Sequence, residues 1–203
     1  LKDYLAGNVL SLQKHTSNLF STVQLQFDYD PYAECPLWQA FLDRVLPEED
    51  AQQLLEEFMG LCLTHDASLN KAFFMVGRGA NGKSVIIRVL QAMLGEGNYA
   101  TLSFDHLSPA HASMLEQLDG FTANIQEDAA EMEKSVEGML KNVLSGGAVT
   151  VNPKYRKPYV LHPTAKWITA TNQIPQFKDR TDGMLRRIII MPFRHQIPPE
   201  EQN

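Results

Sequence analysis

Lys71-Ala72-Phe73-Phe74-Met75-Val76-Gly77-Arg78-Gly79-Ala80-Asn81-Gly82-Lys83-Ser84 carries the chain from one kind of structure into another. Phe73 to Val76 are all apolar and read as a short buried strand. They run straight into Gly77-x-x-x-x-Gly82-Lys83-Ser84, the pattern of a phosphate-binding loop. Beyond it Val85, Ile86, Val89, Leu90, Met93 and Leu94 recur with helical period, so a helix begins where the loop ends. The chemistry of such a loop is direct. Glycines let the backbone turn tightly and aim its N–H groups at phosphate oxygens. The helix N-terminus adds partial positive charge, Lys83 adds a full one, and the Ser84 hydroxyl offers a ligand to Mg²⁺. Gly77, Arg78, Gly79, Ala80, Asn81, Gly82, Lys83, Ser84 and Val85 are the candidate cofactor-binding residues, for a nucleoside triphosphate with Mg²⁺. A glycine-rich turn that binds nothing is the alternative, and the strand before and helix after weigh against it.

The chain of 203 residues fits one α/β domain with a smaller appendage. Its 44% hydrophobic and 21% charged residues are ordinary for a globular protein. No apolar run approaches the ~20 residues that span a bilayer, which predicts no membrane association and a cytoplasmic setting. The first residue is Leu1, which predicts that the sequence is cut from something longer. Cys35 and Cys62 lack metal-ligand spacing and predict buried thiols in a reducing compartment. The net charge of −6 argues against a general nucleic-acid binder. Its distribution argues otherwise: the segment from Lys134 to Lys166 carries +5, against −11 elsewhere. That is one small surface for an anionic partner.

Upstream of the loop, Val9 to Leu12 and Val23 to Phe27 alternate like strands. Pro36 suits the first position of a helix with Trp38, Phe41, Leu42, Val45 and Leu46 on one face. Glu48-Glu49-Asp50 opens another, whose apolar face is Ala51, Leu54, Leu55, Phe58 and Cys62. Thr64 to Asn70 is polar and divides a lead-in, residues 1–65, from a core, residues 66–203.

Downstream, Tyr99 to Phe104 reads as a strand and residues 110–118 as a helix. Phe121 to Gln126 leads as a strand to Glu127-Asp128. Adjacent acids at a strand end suit a Walker B position, one acid holding Mg²⁺ and the other polarising the attacking water. Which acid does which stays open, and an acidic loop is the plain alternative. Met132 to Leu144 is the next helix, stopped by Gly146-Gly147. Ala148–Val151 and Tyr159–Leu161 flank a basic tip, making a β-hairpin whose Lys154, Tyr155, Arg156 and Lys157 are candidate DNA-binding residues. Lys166 to Thr171 is a buried strand ending in Asn172, placed to orient a water or merely to start the turn before Pro175. Arg186 and Arg187 precede a last strand, Ile188 to Phe193, as a solvated entry or an arginine finger.

Gly-Arg-Gly-Ala-Asn-Gly-Lys-Ser (77–84), Leu-Ser-Gly-Gly-Ala-Val-Thr-Val-Asn (144–152), Ala-Thr-Asn-Gln-Ile-Pro (170–175) and Arg-Arg-Ile-Ile-Ile-Met-Pro-Phe (186–193) occur in that order, after Tyr-Asp-Pro-Tyr-Ala-Glu-Cys-Pro-Leu-Trp (29–38). Together they resemble the superfamily 3 helicase part of phage, plasmid and poxvirus-type primase-helicases. The resemblance implies an AAA+ P-loop core: a largely parallel sheet, flanking helices, a β-hairpin and a small, mainly helical N-terminal segment. It implies an ATP-driven replicative DNA helicase, a homo-oligomeric ring (usually a hexamer) and 3′-to-5′ movement on single-stranded DNA. It further implies a primase domain upstream and, for a phage or plasmid, the host bacterial cytoplasm. It carries Lys83 and Ser84 onto the phosphates and Mg²⁺, Glu127 and Asp128 onto Walker B, and Asn172 onto sensor 1. Arg186 or Arg187 falls on the arginine finger, and Lys154 to Lys157 on the DNA-tracking hairpin. Asn124 and Gln126 make the Walker B strand more polar than the family's pattern. Two other functions remain as alternatives: an AAA+ ATPase that loads or remodels protein–DNA complexes without unwinding, and a small-molecule kinase.

Overall fold

The buried strand ahead of the phosphate loop is β1 (Ala72–Val76), and the structure, a computed structural model, builds a sheet on both its sides. Residues 16–18, 23–127, 129, 134–175, 177 and 182–202 are described. Among them lie β2 (Tyr99–Ala100), β3 (Ala123–Glu127), β6 (Lys166–Thr171) and β7 (Ile188–Pro192), ordered β2-β3-β6-β1-β7 with every neighbouring pair parallel. Parallel strands need covering on both faces, so their sequences run apolar without alternation. Phe73, Phe74 and Met75 are accordingly all fully buried.

Successive side chains still point to opposite faces. Phe73, Met75, Ile125, Ile168 and Met191 meet three helices on one side: α1 (Pro36–Val45), α2 (Glu49–Cys62) and α3 (Lys83–Leu94). Ala72, Phe74 and Trp167 meet the other layer. That layer holds 3₁₀ segments Phe104–Leu107 and Pro109–Leu118, helix α4 (Lys134–Leu144) and the hairpin of β4 (Val149–Val151) and β5 (Tyr159–Leu161). A four-residue helix, α5 (Asp182–Leu185), leads into β7. Full burial of a residue such as Phe73 contributes about 1.5–3 kcal/mol. The architecture is an α/β core, a central parallel sheet with flanking helices and a phosphate-loop turn after β1, with mainly helical residues ahead of it. No helix among the described residues is long and apolar enough to cross a membrane.

Several sequence expectations need correction. Val23 to Phe27 forms no strand; the Gln24 carbonyl accepts instead from Asn98 Nδ2, at 3.1 Å. The expected strand at Tyr99–Phe104 stops after Ala100 because the Asn124 side chain takes over the pairing. Its Oδ1 accepts from the Leu102 amide at 2.7 Å and its Nδ2 donates to the Leu102 carbonyl at 2.9 Å. Residues 110–118 are 3₁₀ rather than α, with a kink at His111. Leu54 is exposed, and Gln52 takes an interior place by donating to the Leu46 carbonyl and accepting from Gln39. Cys35 is exposed just before Pro36, whereas Cys62 is buried. The strand expected at Val9–Leu12 lies outside the described residues, as do Asp128, Met132 and the side chain of Lys134.

Candidate functional site

Parallel pairing sets the site. β1, β6 and β3 end together, with Val76 opposite Thr171 and Glu127 opposite Ala170. The phosphate loop, Asn172 and Glu127 therefore share the carboxyl edge of the sheet, where open α/β sheets bind ligands. Gly77 leaves β1 with its amide bonded to the Thr171 carbonyl at 3.1 Å. A Cβ there would lie 2.4 Å from the Phe193 carbonyl oxygen, so only glycine fits. The loop then turns through positive φ at Gly79, Ala80 and Gly82, of which Ala80 is the strained member. Gly82 caps α3, and its missing side chain admits the Phe41 ring to within 2.8 Å of where a Cβ would stand.

Lys83 is buried inside the loop, with Nζ donating to the Gly77 carbonyl at 2.6 Å and to Asn81 Oδ1 at 2.8 Å. Asn81 is in turn held by Nδ2 on the Phe193 carbonyl, at 3.3 Å. The amides of Ala80, Gly82 and Ser84 have no partner among the described residues, and Ser84 is exposed. Free amides around a lysine at a helix N-terminus form a nest for an anion. The cradle fits a polyphosphate, and a larger residue at Gly77 would push away Asn81, which holds Lys83 in it.

Glu127 is exposed at the end of β3, while Asn172 Oδ1 accepts from the Gly79 amide at 3.5 Å. The two polar residues that seemed out of place in β3 are inside and satisfied. Asn124 is bound to Leu102, and Gln126 Oε1 accepts from the Trp167 indole at 3.4 Å. The second acid, Asp128, lies outside the described residues.

Sequence reading missed the segment after β7. The Phe193 amide donates to the Val76 carbonyl at 2.6 Å, and the Ile197 amide donates to the Ala80 carbonyl at 2.7 Å. Gln196 Nε2 reaches the Arg78 carbonyl at 3.3 Å. Arg78, Arg194 and Gln196 thereby line a cavity of about 470 Å³ against Gly77. No motif marks Arg194, Gln196 or Ile197; strand pairing alone brings them there.

Arg186 and Arg187 are not brought to this edge. They enter β7, whose first residue pairs with Ala72, at the opposite end of β1. Five residues at about 3.3 Å each put roughly 15 Å between the two edges. Arg187 is anchored by Nη1 on the Gly183 carbonyl, and its Nε is buried without a partner among the described residues. The Arg186 side chain is exposed and makes no hydrogen bond or ion pair with described residues. The hairpin tip stands apart from both. Tyr155 is fully exposed at φ +64, Lys154 and Lys157 are exposed, and Arg156 pairs with Glu116.

A model of a family of unknown function, DUF5906, matches residues 75–187, more than half of the chain. The chain belongs to that family. The match takes in the phosphate loop, Glu127, Asn172, the hairpin and the arginine pair. This DUF5906 chain is also 24% identical over 159 residues to a helicase-named protein of Acanthamoeba polyphaga mimivirus, covering 75% of itself and 16% of that protein. It is 28% identical over 178 residues to a helicase-named protein of Invertebrate iridescent virus 3, covering 80% of itself and 18% of that protein. The chain thus spans under a fifth of either curated relative. Among solved structures, the C-terminal region of NrS-1 superposes with a TM-score of 0.61 at 14% identity, over 82% of this chain and 42% of that one. The JCV helicase superposes at 0.52 and 16% identity, over 76% and 43%. The fold of this DUF5906 chain is that shared by the NrS-1 C-terminal region and the JCV helicase.

Proposed function

We propose that this chain is the ATP-driven motor module of a DNA helicase, with residues 66–203 as its catalytic core and residues 1–65 as the lead-in. The observation that carries the reading is the meeting of the phosphate loop, Glu127 and Asn172 at one edge of a parallel sheet. Lys83 leaves its carbonyl partners to donate to phosphate oxygens, and the loop amides bind the rest of the chain of phosphates. Mg²⁺, held by Ser84 with Glu127 or Asp128, would neutralise charge on the phosphates. Asn172 orients the attacking water, and the acid not on the metal accepts its proton.

Arg186 serves a neighbouring copy in a ring, because its own loop is an edge away. Lys154, Tyr155, Arg156 and Lys157 contact single-stranded DNA as the hairpin moves. A primase partner elsewhere in a longer polypeptide, hexameric assembly and 3′-to-5′ direction belong to the same proposal.

Steady-state ATP hydrolysis with and without single-stranded DNA tests it, followed by strand displacement on a forked duplex. Lys83→Ala should abolish hydrolysis. Wild-type turnover in that variant would remove the loop from the mechanism. Hydrolysis stimulated by DNA without displacement would favour a loader or remodeller instead.

A further inference from the structure

An apolar groove of about 680 Å³ runs along one flank of α3, beginning at the phosphate loop. That volume is in the range of about 300–1,000 Å³ usual for small-molecule sites. Val85, Val89 and Met93 form one wall, and Leu37, Trp38 and Phe41 form the facing one. The groove touches the loop at two points. Val85 directly follows Ser84 and is left 41% exposed, and the Phe41 ring fills the space beside Gly82. From Val85 to Met93 the wall extends about 12 Å along the helix, comparable to a nucleoside.

The facing wall is aromatic and held in place. The Trp38 and Phe41 rings stack with centroids 5.7 Å apart and planes at 30°. The Trp38 indole N–H donates to Glu56 Oε1 at 3.0 Å, which fixes the ring's orientation. A flat aromatic ligand can slide between such a ring and the aliphatic wall of α3 without meeting a charged group other than Glu56. Exposed apolar surface costs free energy unless something covers it. Here the covering group has to be compatible with an anion bound at the groove's end.

We propose that this groove seats the nucleobase of the triphosphate whose phosphates the loop holds. The base stacks on Trp38 and packs against Val85 and Val89. This deepens the nucleotide reading given above and rests on it. The loop then supplies affinity for phosphate, and the groove supplies affinity for the base. Base-on-aromatic stacking is sequence-tolerant because every base has a π-face, so discrimination among bases is left to polar edges such as Glu56.

The test compares ATP with inorganic tripolyphosphate, both with Mg²⁺, by calorimetry and by tryptophan emission. The chain has two tryptophans, Trp38 in the groove and the buried Trp167, and Trp38→Phe should abolish the change in emission on binding. ATP should bind tighter than tripolyphosphate by roughly tenfold or more, a gain in the range of one stacked base, and only ATP should quench. Val89→Trp, which fills the groove, should weaken ATP and leave tripolyphosphate unchanged. Equal binding of the two ligands with no emission change would overturn the inference while the loop reading stands, leaving the groove to a second copy or another chain. Binding of neither ligand to the wild type would overturn the loop reading and this inference together.

Discussion

Gly77 is the position where one added methyl group costs most. Its Cβ would meet the Asn81 side chain at 2.1 Å and the Phe193 carbonyl at 2.4 Å. Gly77→Ala should therefore open the loop, releasing Lys83 and Asn81, and lower ATP affinity at least as far as Lys83→Ala does. Calorimetry would show it, and an affinity equal to wild type would mean the loop tolerates the shift. Lys166 offers a test of stability. Burial pulls its ammonium down to about 8 from an ordinary 10.5, and pushes the neighbouring Cys62 thiol up to about 12 from 9.0. Between pH 8 and 10.5 the unfolded chain keeps a proton on Lys166 that the folded chain has given up, so stability rises with pH. Cys62 acts oppositely: from pH 9.0 upward the unfolded chain loses a proton that the folded chain keeps. Lys166 acts without Cys62 from about pH 8 to about 9, and there the melting temperature of wild type should gain on that of Lys166→Met. A difference that stays flat would show that the ammonium remains charged in the fold. The loop residues could be read from sequence because each meets a local backbone demand. Asn124, Gln126 and Arg194 could not, because Leu102, Trp167 and Gly77 reach them only through strand pairing.

The hairpin was visible in sequence because two alternating strands flank a polar seven-residue turn, and its register now follows from Val149 opposite Leu161. What sequence could not give is its seating. The Tyr159 hydroxyl donates to Asp119 at 3.0 Å and Arg156 pairs with Glu116, so the tip leans on the 3₁₀ segment before β3. Replacing Lys154, Arg156 and Lys157 by Ala should flatten the log–log salt dependence of single-strand binding by about 0.7 per lost phosphate contact. Arg156 must first leave Glu116, so Glu116→Gln should strengthen binding at low salt. Unchanged salt dependence in the triple variant would make the tip a surface turn. The helix expected at residues 110–118 differs for a related reason. Its apolar Leu115 and Leu118 fit a helical spacing, but the segment is kinked at His111 and continues as 3₁₀.

Across the whole molecule the sheet separates two groups of candidate residues by its own length. The loop, Glu127 and Asn172 occupy its carboxyl edge, and Arg186 and Arg187 occupy the other. Mixing Arg186→Ala chains with Lys83→Ala chains should therefore restore some ATPase activity, since some contacts then join an intact loop to an intact arginine. No recovery at any ratio, with mixed assemblies confirmed by mass, would count against an arginine acting on a neighbour. The chain order of loop, acid, amide and arginines was legible in the motifs, but the sheet order β2-β3-β6-β1-β7 was not. That α1 and α2 share one core with β1 and α3 was not, because Leu42, Leu55 and Phe58 carry no mark of what they pack against. The two unlike edges also bear on symmetry. If Arg186 completes another copy's site, a two-fold pair that sets like surface against like would leave both sites unfinished. Only a polar, heterologous contact, donor edge to acceptor edge, repeats the same finished site at every junction. Such a contact either closes on itself or grows without limit, so the rotation between neighbours becomes as necessary to the chemistry as the lysine in the loop.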